Sequence, residues 1–172
     1  MGSGRTAAGA AKERDFLDFA AGRTGPLYRS ACLLTGGDVH LAEDLVQETL
    51  GRMFVHWSTR IDNPAGYAHT VLVRQYLAHQ RRRSAGERPT GNLPDLPVPA
   101  ADPELRLALL AALARLAARD RAILVLRYWE DRSIEETAEA LRLSSSVIRT
   151  RSSRALARLR EQLGDSLLDQ VG

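Results

Sequence analysis

The 172-residue chain contains a single cysteine, Cys32. It cannot close an internal disulfide, and no Cys or His stands beside it at zinc-ligand spacing. A disulfide scaffold and a structural metal are therefore excluded, while a reducing cytoplasm suits the chain. No apolar run reaches the roughly 18 residues of a membrane-spanning helix. The nearest, Leu107 to Ala118, is broken by Arg115, so the chain reads as soluble, with no membrane role. No signal-peptide pattern opens it. Alternating strand patterns are almost missing. So are a nucleophile–base pair, a phosphate-cradling glycine loop and a metal cluster, so neither catalytic residues nor a cofactor are expected.

Lysine is nearly absent too: Lys12 is the single lysine among 24 basic residues. Arginine favours planar, two-pronged contacts with phosphate, base edges or carboxylates. The net charge is only +3, which does not by itself mark a nucleic-acid binder, so the distribution of charge has to decide.

Five of the seven prolines fall between Ser84 and Pro103, marking a linker poor in helix. On both sides apolar residues recur at three and four positions, the helical period. The expected fold is all-α, with two small helical domains joined by a proline-rich tether. The boundaries are a flexible N-terminus at 1–13, a first domain at 14–83, the linker at 84–103, a second domain at 104–163 and a tail at 164–172.

In the first domain a helix begins at Arg14 and resumes from Pro26 to Leu34, and Gly36-Gly37 ends it. A second helix opens at Asp38 and buries Ala42, Leu45, Val46, Thr49, Leu50, Met53, Phe54 and Trp57, which turns an acidic face outward. A third follows Pro64. It carries Arg74, Arg81, Arg82 and Arg83 and no acid, with Tyr67 and Tyr76 assigned to the core. His40, His56, His69 and His79 read as surface or edge residues.

In the second domain Ile123, Leu124, Leu126, Tyr128 and Trp129 are assigned to a core. Ser133 and Glu136 form a capping box, and Ser144 caps a last helix. Ile134, Ala138, Leu143 and Ile148 have helix-turn-helix spacing. An ordinary helix pair with a solvated arginine face is the plain alternative. Five arginines before the first acid of the last helix weigh against it. In a helix-turn-helix, Ser145, Ser146, Arg149 and Thr150 would meet base edges, with Arg149 and Arg154 placed for guanine and Arg151 and Arg158 for phosphate.

The acidic face would repel phosphate, so it suits a basic protein partner. Here the residues carry a resemblance. The segment Asp38 to Trp57, with Ala42-Glu43-Asp44-Leu45-Val46-Gln47-Glu48, resembles region 2 of the extracytoplasmic-function RNA polymerase sigma factors. Leu126-Arg127-Tyr128-Trp129-Glu130-Asp131 with Glu135 to Leu141 resembles region 4. Ser152 to Arg160 is similar to an actinobacterial branch of that class.

The resemblance implies a promoter-specificity subunit of RNA polymerase, not an enzyme, working in the cytoplasm. It implies core-polymerase contacts through Asp44, Leu45, Gln47 and Glu48 on the β′ clamp helices, together with a contact to the β flap. Minus-ten DNA falls to Arg60, Asn63, Arg74, Arg81, Arg82 and Arg83. Minus-thirty-five DNA falls to Ser145, Ser146, Arg149, Thr150, Arg151, Ser153, Arg154 and Arg158. An anti-sigma factor is a further implied partner.

Arg74 and Ala78 stand where many relatives have Asn and Asp, Arg142 where Gly is usual, Ser146 where Gly is common, and Ser152 where Leu is common. The 20-residue linker, extended, reaches roughly 60 Å, against about 70 Å for two turns of DNA. Two other readings stay open from the residues alone. One is a free-standing helix-turn-helix regulator. The other is a protein-interaction module that has lost its DNA reading.

Overall fold

The computed structural model describes residues 6–57, 60–84 and 102–169. Seven α-helices and one π-helical turn make up the regular structure among these residues. Helices α1 (Ala7–Leu34), α2 (Val39–Val55) and α3 (Pro64–Arg83) form the N-terminal half. Helices α4 (Pro103–Arg115), α5 (Ala118–Leu124), α6 (Ile134–Leu141) and α7 (Ser145–Asp169) form the C-terminal half, with the π turn at Val125–Trp129. Most of the proline-rich linker, 85–101, lies outside the described residues.

Helix α1 starts at Ala7, not near Arg14, and runs unbroken through Pro26. This corrects the expected flexible 1–13 segment for its described part. Thr6 caps the helix by accepting from the Gly9 amide at 3.3 Å. The alanines that follow have the highest helix propensity, so the small composition read as flexibility is helix-forming. Burial of Leu27, Ser30, Ala31, Cys32 and Leu34 offsets the proline. Gly36 and Gly37 adopt φ of 65° and 93°. Their amides return to Leu33 O and Cys32 O, the Schellman closure expected of this pair. Burial pushes the Cys32 thiol up to about 11, so it stays protonated and unreactive.

Asp38 caps α2 through the Leu41 amide. Ala42, Leu45, Val46, Thr49 and Met53 are buried as expected, but Phe54 is 41% exposed. Phe54 packs at the rim against Phe16, with Lys12 Nζ 5.7 Å from its ring centre. Trp57 joins the core and donates its indole N–H to Asp15. In α3, Asn63 caps and Pro64 opens the helix, and Tyr76 is buried. Tyr67, assigned to the core, is instead exposed.

Tyr128 and Trp129 also leave the expected core, at 53% and 46% exposure. The π turn is the reason. The Glu130 amide reaches Val125 O, five residues back, which rotates the following side chains off the face a 3.6-residue period assigns them. Helix α7 continues past Leu163 to Asp169, so the expected tail at 164–172 is helical up to that point. Gly164 alone does not stop a helix whose neighbours are helix formers.

The helix-turn-helix core forms as read: Ile123, Ala138 and Ile148 are buried, with Ile134, Leu141 and Leu143 against them. Ser133 and Glu136 complete the capping box. These bonds hold the Glu136 carboxyl below its usual range. Its contribution to the cap is therefore present at neutral pH and is lost as pH falls through that lowered value. Arg142 closes α6 in the left-handed region, φ 55°, where a Cβ is disfavoured. Arg142→Gly is expected to stabilise the protein by about 1 kcal/mol, raising the melting temperature by roughly 3 °C in a thermal melt.

The two halves share one core. Leu110, Ala122, Val125, Leu126 and Ala140 cluster with Leu27, Leu34, Leu45, Leu72 and Tyr76. Arg121, 8% exposed, spends all its N–H groups at this junction. Nε donates to Leu113 O at 2.6 Å, Nη2 to Ala114 O and Leu116 O, and Nη1 to Leu34 O at 2.7 Å and Tyr76 Oη at 2.8 Å. These acceptors include the carboxyl ends of α1 and α4, where the helix dipoles favour a cation. Burial nonetheless pulls the guanidinium's pKa down from its ordinary value.

Candidate nucleic-acid interface

Helix α7 buries Ile148, Ser152 and Ala155. The opposite side carries Ser146, Arg149, Thr150, Ser153 and Arg154, all exposed. These positions follow the i, i+3, i+4, i+7 rule, so they form one surface stripe. Ser144 caps the start of this helix through the Val147 amide at 3.2 Å, and Ser145 at its first position is half-buried. Arg149 makes a loose, exposed pair with Glu135 at 3.7 Å, a contact worth little in water.

Arg151 and Arg158 point elsewhere. Arg151 bonds Asp120 at 2.9 Å, and Arg158 approaches the same carboxylate at 3.9 Å. The structure thus separates these two arginines, expected on phosphate, from the Arg149 stripe. Spacing along the helix does not show Asp120, which comes from α5.

The acidic face of α2 presents Glu43, Asp44, Gln47 and Glu48. Leu45 does not belong with them. At 2% exposure it is a core residue, which corrects its place among the expected polymerase contacts: it supports the face from beneath. A residue that sequence reasoning missed holds Glu48. Gln75 of α3 is buried, and with its amide turned to satisfy both neighbours it donates to Glu48 Oε1 at 2.8 Å and accepts from Arg52 Nε at 2.6 Å. Only the contact between α2 and α3 shows this.

The expected minus-ten residues are dispersed. Arg60 is exposed in the loop before α3, and Arg81 and Arg82 are exposed at its far end, with Arg83 half-buried. Asn63 uses its carbonyl oxygen to cap α3 through the Gly66 amide. Arg74 is turned toward the C-terminal half, where Nε donates to Ala140 O at 2.9 Å and Nη2 to Glu139 O at 3.4 Å. Beside it lies a cavity of about 900 Å³ between α1, α3 and α6.

The wall of that cavity holds a polar cluster. Glu130 meets His69 Nδ1 at 2.5 Å and accepts from Ser30 Oγ at 3.0 Å, while Arg132 lies 3.5 Å from its second oxygen. Arg132 donates to Thr70 Oγ1 and Gly66 O. His69, read as a surface residue, is a partner across the junction of the two halves.

Residues 21–86 match the Sigma-70 region 2 family and residues 112–161 match Sigma-70, region 4. The two halves therefore define a protein of the sigma-70 class that carries its second and fourth regions. The chain is 37% identical over 153 residues to the RNA polymerase sigma-E factor of Streptomyces coelicolor, covering 87% of this chain and 86% of that protein. It is 34% identical over 171 residues to the ECF RNA polymerase sigma factor SigL of Mycobacterium tuberculosis, covering 92% of each. Among solved structures it resembles the sigma factor RpoE from Bartonella quintana, solved with the anti-sigma factor NepR. The TM-score is 0.72 and the identity 25%, over 88% of this chain and 98% of that one. The chain belongs to the extracytoplasmic-function sigma factors of RNA polymerase.

Proposed function

We propose that this sigma factor docks on core polymerase through the α2 face of Asp44, Gln47 and Glu48, and reads minus-thirty-five DNA through α7. The observation that carries the reading is the separation of charge. One helix presents carboxylates backed by a buried amide, and another presents Arg149 and Arg154 on a stripe with no acid of its own, met only by the exposed Glu135 of α6 at 3.7 Å. The β′ clamp helices and the β flap are the polymerase elements this assigns. Exposed Arg60, Arg81 and Arg82 are assigned to minus-ten DNA, and Arg74 joins them when its bonds to α6 are released.

The protein supplies binding and orientation without covalent chemistry of its own, and it works in the cytoplasm with the polymerase. Among the described residues no helix is long and apolar enough to cross a membrane. An anti-sigma factor covering one or both faces completes the set of partners.

The test compares promoter binding by holoenzyme assembled with wild type, Arg149→Ala or Arg151→Ala. Arg149→Ala is expected to weaken binding roughly tenfold and relax preference at one minus-thirty-five position, as for loss of a two-pronged contact to guanine. Arg151→Ala, whose guanidinium is held by Asp120 at 2.9 Å, is expected to change affinity less than threefold. Equal losses for both variants would count against the stripe.

A further inference from the structure

We propose that Asp120 is a positioning residue that sets DNA specificity: it holds Arg151 against α5, which fixes the rotation of α7 beneath the Arg149 and Arg154 stripe and keeps Arg151 off the phosphate backbone. The proposal rests on the assignment of α7 to minus-thirty-five DNA and adds how that helix is aimed.

Asp120 lies in the first turn of α5 and is 8% exposed. A carboxylate this deep needs a cation or donors to offset its lost hydration. Among the described residues the cations that reach it come from α7. Arg151 Nη1 donates to Oδ1 at 2.9 Å, and Arg158 Nη1 stands 3.9 Å from Oδ2. The two arginines are not equal. Arg158 is 62% exposed and its long contact leaves it to solvent, whereas Arg151 makes a direct charge-assisted bond to a nearly buried acceptor. Arg151 is therefore the residue that is held.

Helical geometry gives this bond its effect. At about 100° per residue, Arg151 falls about a third of a turn from the middle of the exposed stripe of Ser146, Arg149, Thr150, Ser153 and Arg154. It sits at the edge where α7 meets α5, so tethering it sets the direction in which the stripe points. Packing does this only weakly. The buried residues of α7 are Ile148, Ser152 and Ala155. Two of them are small, and the Ser152 hydroxyl finds no hydrogen-bond partner among the described residues. Leu156 and Leu159, farther along, are only partly buried. Small side chains do not interlock, so a helix seated on them turns about its axis more readily than one seated on large ones.

The charge matters as much as the direction. A freed arginine beside a DNA-reading helix finds a phosphate on any sequence. Each phosphate neutralised steepens the log–log salt dependence of binding by about 0.9 and contributes about fivefold in affinity near about 0.15 M salt. That gain is indifferent to the bases. On the correct site it is offset, because base contacts by Arg149 and Arg154 depend on the register that Asp120 holds. Asp120 thus lowers non-specific affinity and raises discrimination.

The test measures holoenzyme binding to a promoter selected by the wild-type holoenzyme and to the same DNA with its minus-thirty-five element scrambled, between about 50 and 200 mM salt. Wild type is compared with Asp120→Ala, with Asp120→Asn, which keeps the shape without the charge, and with the double variant Asp120→Ala, Arg151→Ala. Circular dichroism checks the helices. Asp120→Ala is expected to bind the scrambled DNA roughly fivefold tighter, to lose roughly fivefold of its preference for the promoter, and to steepen the salt slope by about 0.9. Asp120→Asn is expected to move all three in the same direction, and it is read in place of Asp120→Ala if that variant loses helicity. The double variant is expected to return the salt slope and the scrambled-DNA affinity to wild type, a reversal that a merely structural loss does not show.

If wild type discriminates the two DNAs while Asp120→Ala and Asp120→Asn leave slope and preference unchanged, the proposal is overturned and α7 remains the reading helix. A steeper slope that persists in the double variant overturns it in the same way. Wild type that fails to discriminate the two DNAs sinks the assignment of α7, and the proposal with it.

Discussion

Replacing Glu48 by Arg is expected to leave the fold intact and to weaken binding to core RNA polymerase about a hundredfold. The side chain is 41% exposed on α2 and its pair with Arg52 at 3.4 Å contributes little, while losing its bond to the buried Gln75 amide costs about 1–3 kcal/mol, which the fold survives. The larger cost falls on docking. Reversal removes a carboxylate aimed at a basic partner and sets a guanidinium in its place, and like charges at an interface cost several kcal/mol. The arrangement behind it sharpens the expectation. The buried Gln75 amide fixes the Glu48 carboxylate before the partner arrives, so less ordering is lost on binding. Equilibrium titration of labelled protein with core enzyme checks the size of the effect, and circular dichroism checks the fold. Unchanged affinity would remove α2 from the docking surface.

Arg121→Met is expected to have the largest effect on stability, a loss of about 3 kcal/mol or more. The substitution leaves carbonyls at the ends of α1 and α4, and the Tyr76 hydroxyl, without the donor that satisfies them. A drop of roughly 10 °C in melting temperature follows for a chain of this size. Arg121→Lys should fail to rescue it, because an ammonium has three donors where the site uses five. Thermal melts of the three proteins decide this. Full recovery by lysine would show that charge alone, and not the planar fork, holds the junction.

Much of this fold was legible because its signals are local. The Gly36-Gly37 stop, the Asp38 and Ser144 caps, the capping box at Ser133 and Glu136, and the Ile134, Ala138, Leu143, Ile148 spacing each act within a few residues. All of them form. The misplaced residues have identifiable causes. Tyr128 and Trp129 are rotated outward by a π turn that a 3.6-residue period cannot represent. The alanines before Arg14 read as flexible by composition, yet they are the best helix formers in the chain.

The candidate site divides the same way. Arg149, Thr150, Ser153 and Arg154 share a stripe that helical spacing alone defines. Arg151 and Arg158 differ from them only through Asp120, a carboxylate some 30 positions away in sequence. Gln75, His69 and Arg121 carried no motif, because their roles exist only once α1, α3 and the C-terminal half are packed together. Arg74 stood out in the sequence as a departure from its relatives, and its bonds to Ala140 O and Glu139 O supply a physical use for that departure.

This chain is expected to confer promoter-specific initiation on core polymerase. Run-off transcription on a genomic promoter library, with core enzyme alone and with the purified protein added, tests it most directly. Discrete transcripts are expected that depend on the wild-type protein, are lost with Glu48→Arg and are reduced roughly tenfold with Arg149→Ala. A wild-type protein that adds no transcript on any promoter would contradict it.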